Sequence, residues 1–347
     1  MSPVRTQGTL PVVRAADLEE TCDHHRWLID SLWARAAVGI LGGAPKCCKS
    51  WLALDIALSV ASGTPCLDVF HVGDPGGVLL YMAEDGAAVV KARLLGLCQH
   101  RGTTLEDLPI DVITAPVVRI DRDRDQARLL ETVRQRAPRL LVLDPFVRLH
   151  RVDENDAGQV SALLGYLRSL QRELDVAVLV VHHARKNGNG GSQAGQSLRG
   201  SGDLHAWGDS NLYLRKQRDA LTLTIEHRAS PAPEPLTLRL ADGEPDKKTH
   251  LALADEASQG HPGVVASLDR AIVAMLAQAT EPLGRSTLRA SLRVRNERLG
   301  DALTRLVAEG TLVRLGDRWS VPVPLSTHAP ERNGSLLANG TTAHPQT

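Results

Sequence analysis

Residues 43–50 limit the possible folds of this chain most strongly, because their spacing and neighbours match a phosphate-binding loop. The segment reads GAPKCCKS and nearly fits the pattern G-x-x-x-x-G-K-[ST]. A short apolar run at 38–42 precedes it, as in a buried parallel strand, and a helical period of 3.6 residues follows from Lys49 until Gly63 and Pro65. The order strand, loop, helix is the context that this motif requires.

The loop predicts a ligand with several phosphates. Backbone N–H groups and the helix N-terminus would surround the phosphates, Lys49 would neutralise the terminal ones, and the Ser50 hydroxyl would hold Mg²⁺. Cys48 departs from the pattern, which has glycine there, because a side chain crowds the backbone beside the phosphates. The alternative is a Gly-rich turn before a core helix. The residues expected at the ligand are Gly43, Ala44, Pro45, Lys46, Cys47, Cys48, Lys49, Ser50 and Trp51.

Apolar runs and helical periods alternate along the first two thirds of the chain. After a helix-like stretch at 27–35, strands are predicted at 38–42, 78–83, 111–114, 140–143 and 176–181, with helices at 49–62, 87–97, 126–136 and 158–174. The segments 211–214, 221–225 and 236–240 alternate apolar and polar residues and predict antiparallel strands. The pattern predicts an α/β fold, a mainly parallel sheet with helices on both faces.

Polar side chains follow three of the predicted strands. Asp144 is expected to hold Mg²⁺, with a helix N-cap as the alternative. Glu84 is expected to orient or deprotonate the attacking water, and Asp85 to cap the next helix. His182 and His183 could sense the γ-phosphate and pass the signal to a loop at 187–196; the alternative is one histidine in the core and one in solvent.

Composition excludes several classes of protein. The 347 residues carry 40 basic and 40 acidic side chains, so any nucleic-acid-binding surface must be local. No apolar run reaches the roughly 20 residues of a membrane helix, and the first residues have no signal-peptide core, so we expect a cytoplasmic protein without membrane contact. The five cysteines are an odd number without paired ligand spacing, which argues against a disulfide framework and a zinc site.

The second domain is predicted to be small and basic. We expect a leader at 1–26, the α/β domain at 27–241, a linker at 242–262, a winged helix-turn-helix domain at 263–324 and a disordered tail at 325–347. Five arginines and one glutamate give residues 285–298 a net charge of +4. DNA binding is expected through Arg289, Arg293, Arg295 and Arg298, with docking to protein as the alternative.

Five segments together resemble the RecA-like ATPases, and among them the plasmid RepA-type hexameric replicative helicases. In chain order they are GGAPKCCKSWLALDIA, LLYMAEDGAAVVKARL, LLVLDPFVRLH, VAVLVVHHARK and SLRGSGDLHAWGDSNLYL, within residues 27–240. The resemblance implies ATP as ligand, Glu84 as the catalytic glutamate, Asp144 as the Walker B aspartate and His182 or His183 as the sensor.

The resemblance also implies assembly into a homo-oligomer, a hexamer in that family. A basic finger from the neighbouring subunit would complete each ATP site, with Arg228 as first choice and Lys216 and Arg218 behind it. Arg199 matches the segment that faces the central channel, where single-stranded DNA would pass.

Three hypotheses about function follow. The first is an oligomeric Mg²⁺-dependent ATPase acting on DNA, a helicase or helicase-like motor in the replication of a plasmid, phage or integrated element. The second is a nucleotide-gated DNA-binding regulator with weak or no hydrolysis. The third is a protein-interaction module that no longer binds nucleotide.

Overall fold

The computed structural model describes residues 10, 12–18, 26–183, 203–217, 220–230, 233–241, 249–254, 262–292, 294 and 296–322. The predicted loop at 187–196, the predicted tail at 325–347 and most of the predicted leader lie outside the described residues. Among the helices in the described ranges, none is long and apolar enough to cross a membrane.

Fourteen strands and eight α-helices make up the described parts of the chain. The strands are β1 (Trp27–Ile29), β2 (Trp33–Ala34), β3 (Val38–Gly43), β4 (Val78–Met82), β5 (Ile110–Val112), β6 (Leu140–Asp144), β7 (Ala177–His183), β8 (Ser210–Gln217), β9 (Ala220–His227), β10 (Leu236–Ala241), β11 (His250–Leu253), β12 (Leu283–Gly284), β13 (Val313–Leu315) and β14 (Arg318–Ser320). The helices are α1 (Lys49–Ser62), α2 (Ala87–Arg101), α3 (Asp123–Arg136), α4 (Ala157–Leu174), α5 (Asp203–Trp207), α6 (Pro262–Gln278), α7 (Arg285–Leu292) and α8 (Asn296–Ala308).

Nine strands form one sheet in the order β11-β10-β9-β8-β3-β7-β6-β4-β5. The pairs from β8 to β5 are parallel, and β9, β10 and β11 add antiparallel strands at the other edge. The sheet confirms the predicted α/β class with a mainly parallel sheet. Because β7 lies between β3 and β6, the strand before the phosphate loop and the strand ending in Asp144 are one strand apart.

The two faces of the sheet bury separate apolar cores, as the alternation of side chains along a strand requires. Leu41 of β3 packs in the same core as α1 and α2, whereas its neighbour Ile40 packs in the core that includes residues of α3 and α4. In β6, Leu140 packs in the core with α1, and Leu141 packs in the core with α3 and α4. Helices therefore cover both faces, and the parallel strands are buried from both sides.

The prediction of a helix at 27–35 is wrong, because this stretch forms the β1–β2 hairpin. Its turn contains Ser31 at a φ of 59°, and the backbone N–H of Asp30 donates to the carbonyl of His71 at 2.8 Å. Trp27, Leu28 and Ile29 are all buried. Three consecutive bulky side chains lie on different sides of a helix, so one helical face could not bury them all, and tryptophan and isoleucine favour strands.

The prediction of a linker over 242–262 is also wrong in part. Residues 250–253 form β11, which pairs antiparallel with β10, and the side chains of His250 and Leu251 are buried. The ring of His100 on α2 stacks on His250, with ring centroids 3.6 Å apart. Four residues between polar flanks give too short an alternation to distinguish a strand from a linker in the sequence.

Residues 262–322 form three helices and a three-stranded sheet in the order β12-β14-β13. Trp319 lies in the core that the three helices share. Helix α6 also contacts the large domain: the backbone N–H of His71 donates to the Ser267 hydroxyl at 2.8 Å, and Val264 is buried in the core that contains α1. This contact attaches the small unit to the β1–β2 side of the sheet.

Candidate nucleotide-binding site

The loop between β3 and α1 requires glycine at its first position. Gly43 has a φ of 155°, and a Cβ atom there would lie 2.3 Å from the carbonyl oxygen of Leu214 and 2.7 Å from Sγ of Cys47. Both distances are far below van der Waals contact, and the carbonyl belongs to the neighbouring strand β8. The close approach of β8 therefore excludes a side chain at position 43.

Cys48 occupies the N-cap position of α1 in the left-handed region, with φ 64° and ψ 21°. The left-handed region costs a non-glycine residue about 1–2 kcal/mol. The departure from the glycine pattern at this position thus has a conformational cost as well as the expected crowding. Within the described residues, Cys48 makes no side-chain hydrogen bond that caps α1. The first N–H groups of α1 point toward the loop and can bind an anion.

Lys49 is buried and folded back on the loop. Its Nζ donates to the carbonyl oxygens of Gly43 at 3.0 Å and Ala44 at 2.8 Å. Burial lowers the pKa of Lys49, while nearby Cys47 and Asp144 oppose this shift. The lysine therefore supplies a positive charge in the loop, with weak carbonyl ligands that a phosphate can replace.

Asp144 ends β6 beside the loop and is 6% exposed. Burial raises its pKa to about 6, against the hydrogen bond from Ser50 and the charge of Lys49, which lower it. Its Oδ2 is buried and has no hydrogen-bond partner among the described residues. A buried carboxylate oxygen in need of a partner, close to a hydroxyl, fits a Mg²⁺ site.

The described residues contain no cluster of three or more His, Cys, Asp or Glu side chains that could hold a metal ion. Mg²⁺ typically takes only one or two carboxylates from a protein and its other ligands from water and substrate phosphates. Ser50 and Asp144 fit that limited donor set. A cation bound between them would therefore depend on the nucleotide for further ligands.

The two acidic residues after β4 have different partners. Oε1 of Glu84 accepts a hydrogen bond from Nε of Arg148 at 2.8 Å, and Oδ2 of Asp85 lies 2.5 Å from Nη1 of Arg93. The prediction that Asp85 caps α2 is wrong, because Gly86 is the N-cap residue and the Asp85 carboxylate is held by Arg93. Arg93 in turn lies over the ring of Trp51, 5.4 Å from its centroid.

The structure separates the two histidines at the end of β7. His183 is half-buried and lines the cavity at the loop. His182 is buried near Phe146, with ring centroids 5.9 Å apart, and its Nδ1 lies 4.0 Å from Oε1 of Glu154. Consecutive strand residues point to opposite faces, so His183 is the residue placed to contact a ligand.

These side chains enclose one cavity of about 310 Å³ at the carboxyl ends of the parallel strands. Its lining residues are Lys46, Cys47, Cys48, Lys49, Ser50, Trp51, Met82, Glu84, Asp85, Arg93, Asp144 and His183. The cavity thus brings together residues 46–51 of the predicted loop with Glu84, Asp144 and His183, whereas the predicted ligand residues Gly43, Ala44 and Pro45 do not line it. Sequence reasoning missed Arg93 and Arg148, because an arginine on a helix or in a turn carries no motif of its own.

The predicted basic finger, Arg228, is bound by its own chain in this structure. Its Nη2 donates to the carbonyl oxygens of Ala206 at 2.5 Å and Trp207 at 3.3 Å, and its Nη1 lies 3.5 Å from Asp209. The side chain is 54% exposed. Lys216 is exposed on β8, and Arg218 lies outside the described residues.

The predicted DNA-binding arginines have different surroundings. Arg289 is exposed on α7, and Arg199, Arg293 and Arg295 lie outside the described residues. Arg298 is half-buried, donates to the carbonyl of Val264 at 3.1 Å, and has its pKa lowered by burial. The interpretation of Arg298 as a DNA contact does not agree with this placement, because its guanidinium faces α6.

The fold and the cavity define an α/β protein with a candidate phosphate-binding loop at one edge of its sheet. The sequence profile of the AAA domain family AAA_25 matches residues 3–189, more than half of the chain. The chain belongs to this AAA domain family.

The chain is also similar to three solved structures at low identity. One is an isolated ATPase domain, 17% identical, with 63% of this chain and 86% of that chain covered and a TM-score of 0.49. A DnaB-like replicative helicase, solved for its interactions with primase, is 16% identical, with a TM-score of 0.48; the match covers 62% of this chain and 57% of that chain. The RadB recombinase is 18% identical, with 62% and 91% covered and a TM-score of 0.45.

Proposed function

We propose that this protein is a Mg²⁺-dependent ATPase that acts on DNA. The observation that carries the proposal is the cavity that joins Lys49, Asp144 and Glu84 at one sheet edge. Phosphoryl transfer needs mainly positioning and stabilisation of charge, and these side chains supply a cation, a metal ligand and a carboxylate for water. A bound Mg²⁺ would neutralise phosphate charge beside Ser50 and Asp144.

The roles of the side chains follow from their positions. Lys49 exchanges the carbonyls of Gly43 and Ala44 for phosphate oxygens, because charge-assisted bonds to phosphate are stronger. Glu84 accepts a proton from, or orients, the attacking water. His183 contacts the terminal phosphate and reports its presence through β7 to the segment that follows the strand.

Assembly into a homo-oligomer, a hexamer in the resembled family, forms part of the proposal. Arg228 of one subunit would leave Ala206 and Trp207 and stabilise the charge that develops at the neighbour's ATP. A single DNA strand would pass through the ring near Arg199. The protein would then be a helicase-like motor in the cytoplasm, serving replication of a plasmid, phage or integrated element.

The three helices and three strands of residues 262–322 fit a winged helix-turn-helix. We propose that this unit binds duplex DNA through Arg289 together with Arg293 and Arg295. Arg289 is exposed on α7, the helix before the last. Docking to another protein is the alternative for this unit, because charged helix faces are often simply solvated.

The test of the proposed function is ATP turnover by the purified protein, with and without single-stranded DNA. Turnover is expected to require Mg²⁺, to increase with DNA and to disappear in Lys49→Ala. Arg128→Ala, which changes an exposed arginine on α3, is the matched control and is expected to behave as the wild type. Turnover that persists in Lys49→Ala would refute the proposal.

A nucleotide-gated DNA-binding regulator is the second candidate, and the left-handed conformation of Cys48 favours it. A strained residue beside the phosphates would weaken hydrolysis more than binding if it shifts the N–H groups that stabilise the transition state. Tight sequence-specific duplex binding that depends on ATP, without strand separation, would favour this candidate over the motor.

A further inference from the structure

A second cavity, of about 500 Å³, shares Glu84 with the cavity at the phosphate loop. Its charged lining consists of Glu84, Arg119 and Arg148. Tyr81 also lines it, but its hydroxyl already accepts a hydrogen bond from the backbone N–H of Val118 at 3.0 Å. Two guanidinium groups and one carboxylate leave this cavity with an excess of positive charge, which favours an anionic ligand.

Arg148 links the second cavity to Glu84. Its Nε donates to Oε1 of Glu84 at 2.8 Å, and the two side chains are 60% and 45% exposed. Glu84 lies two residues beyond β4, and Arg148 lies four residues beyond β6; these strands are neighbours, with Met82 opposite Asp144. The ion pair therefore connects the carboxylate proposed to activate water with the turn that follows the proposed metal ligand.

Arg119 holds the backbone of this turn in place. Its Nη1 donates to the carbonyl oxygens of Arg148 at 2.6 Å and His150 at 3.0 Å. Its Nε is buried without a hydrogen-bond partner among the described residues. The backbone of the turn is thus fixed, whereas the ion pair with Glu84 uses one of the five N–H groups of the Arg148 guanidinium.

We propose that the second cavity binds a phosphate of single-stranded DNA, and that this phosphate takes Arg148 away from Glu84. Arg148 is then a positioning residue: without DNA it restrains Glu84, and with DNA it releases the carboxylate toward the ATP. This inference rests on the proposed ATPase function.

Three physical points support the replacement of Glu84 by a DNA phosphate as the partner of Arg148. Solvent-exposed ion pairs are weak, so a competing anion can replace Glu84. A guanidinium matches phosphate oxygens with two parallel hydrogen bonds, which makes phosphate a strong competitor. Glu84 already lines both cavities, so its release requires a change of side-chain direction and no movement of strands.

Arg93, the other arginine beside the acidic residues, could not link DNA binding to Glu84 in the same way. Arg93 pairs with Asp85, lies over Trp51 and lines the cavity at the phosphate loop. An anion at Arg93 would therefore compete with the nucleotide itself. Arg148 is absent from the lining of that cavity, so a ligand at Arg148 can bind at the same time as ATP.

The experiment compares Arg148→Ala, Arg148→Lys and the control Arg128→Ala in the full-length chain. ATP turnover is measured without DNA, with a thymidine homopolymer and with a duplex of equal length. Breaking an exposed ion pair should raise the unstimulated turnover of Arg148→Ala about two- to five-fold. In Arg148→Ala the ratio of turnover with the homopolymer to turnover without DNA should fall toward one. Arg148→Lys should retain part of this stimulation, and Arg128→Ala should match the wild type.

Binding of the homopolymer at several salt concentrations gives a second readout. The slope of log affinity against log salt should decrease by about 0.7 in Arg148→Ala, as expected for one lost phosphate contact on a single strand. A purely structural role for Arg148 would leave this slope unchanged.

The outcomes separate this inference from the proposed function. Wild-type turnover that survives Lys49→Ala would refute the ATPase proposal itself. Turnover that depends on Lys49 but falls by the same factor with and without DNA in Arg148→Ala would overturn only the inference. Equal, Arg148-dependent stimulation by the duplex would overturn the assignment to a single strand.

Discussion

Among single residues, Cys48 is the position at which the proposed phosphate-binding loop departs from glycine. Its left-handed backbone, with φ at 64°, is a conformation that glycine adopts without steric cost. A thiol-bearing side chain at this position therefore strains the loop. The residue therefore affects both the stability of the protein and the placement of the N–H groups around a phosphate.

Cys48→Gly is expected to increase stability and ATP turnover together. Relief of the left-handed conformation is worth about 1 kcal/mol, offset in part by the greater entropy of glycine in the unfolded chain. Denaturant unfolding and ATP turnover of the same preparation measure both effects. Cys98→Ala, at a buried thiol on α2 that does not line the cavity, serves as control. Unchanged turnover in Cys48→Gly would show that Cys48 does not limit hydrolysis.

Asp144 gives a pH-dependent contribution to stability. Burial raises its pKa in the folded protein to about 6 from an ordinary value of 3.8, so the folded state binds the proton more tightly than the unfolded state. Between about pH 4 and pH 6 the free energy of unfolding therefore falls as the pH rises, by of order 3 kcal/mol in total. Above pH 6 the buried Asp144 carboxylate is ionised and destabilises the folded protein by the full amount.

Asp144→Asn is expected to remove this penalty. The variant should be more stable than the wild type by of order 3 kcal/mol at pH 7, and this difference should shrink as the pH approaches 4. Denaturant unfolding of both proteins at several pH values, without nucleotide or Mg²⁺, tests the expectation. A difference that is independent of pH would contradict it.

At the scale of elements, the sequence predicted the strands and helices that have long, regular patterns. The parallel strands are continuous apolar runs, and α4 has a clear helical period. Helix α1 is buried along residues 52–60 on all sides, so it was recognised by its length and its position after the loop that follows β3. The β1–β2 hairpin and β11 could not be recognised, since two to four residues give no reliable period. Their formation depends on contacts with His71 and His100 that are distant in sequence.

The candidate site was predictable only where a motif marks the residue. Lys49, Asp144 and Glu84 follow strands that the sequence identifies, and parallel strand ends meet at one edge. The choice between His182 and His183 depends on which face of β7 each occupies, and that requires the register of the sheet. The partners of Glu84 and Asp85 depend on side chains from different elements, Arg148 and Arg93, which no local spacing indicates.

The packing of α8 against α6 gives opposite expectations for two arginines. Arg298→Ala should lower the free energy of unfolding by about 1–2 kcal/mol, because its hydrogen bond to the Val264 carbonyl is lost, and should leave the salt dependence of duplex binding unchanged. Arg289→Ala should leave stability unchanged and reduce the salt slope by about 0.9. Thermal unfolding and duplex binding at several salt concentrations compare the two. The reverse pattern would refute this assignment.

In the whole molecule, the proposed role of Arg228 needs contact between copies of this chain. Arg228 lies against its own Ala206, Trp207 and Asp209, and it is absent from the lining of the cavity at the phosphate loop. A finger from this position would have to act on another subunit. Oligomer formation that depends on ATP is therefore expected in a size measurement.

Mixing two inactive variants tests action between subunits. Arg228→Ala keeps the phosphate loop, and Lys49→Ala keeps the finger, so a mixed oligomer contains some intact sites. ATP turnover should reappear in the mixture, whereas each variant alone should be nearly inactive. High turnover by Arg228→Ala alone would exclude the finger, and failure of the mixture to recover would contradict its action in trans.

The central claim is that residues 43–51, with Asp144, bind a nucleoside triphosphate together with Mg²⁺. The most direct measurement is calorimetric titration of Mg²⁺-ATP into wild-type protein and into Lys49→Ala. The wild type is expected to give saturable heat with one nucleotide per chain. Lys49→Ala is expected to bind about tenfold or more weakly, since a charge-assisted contact is removed. The absence of heat for the wild type at millimolar nucleotide, or identical titration curves for both proteins, would contradict the central claim.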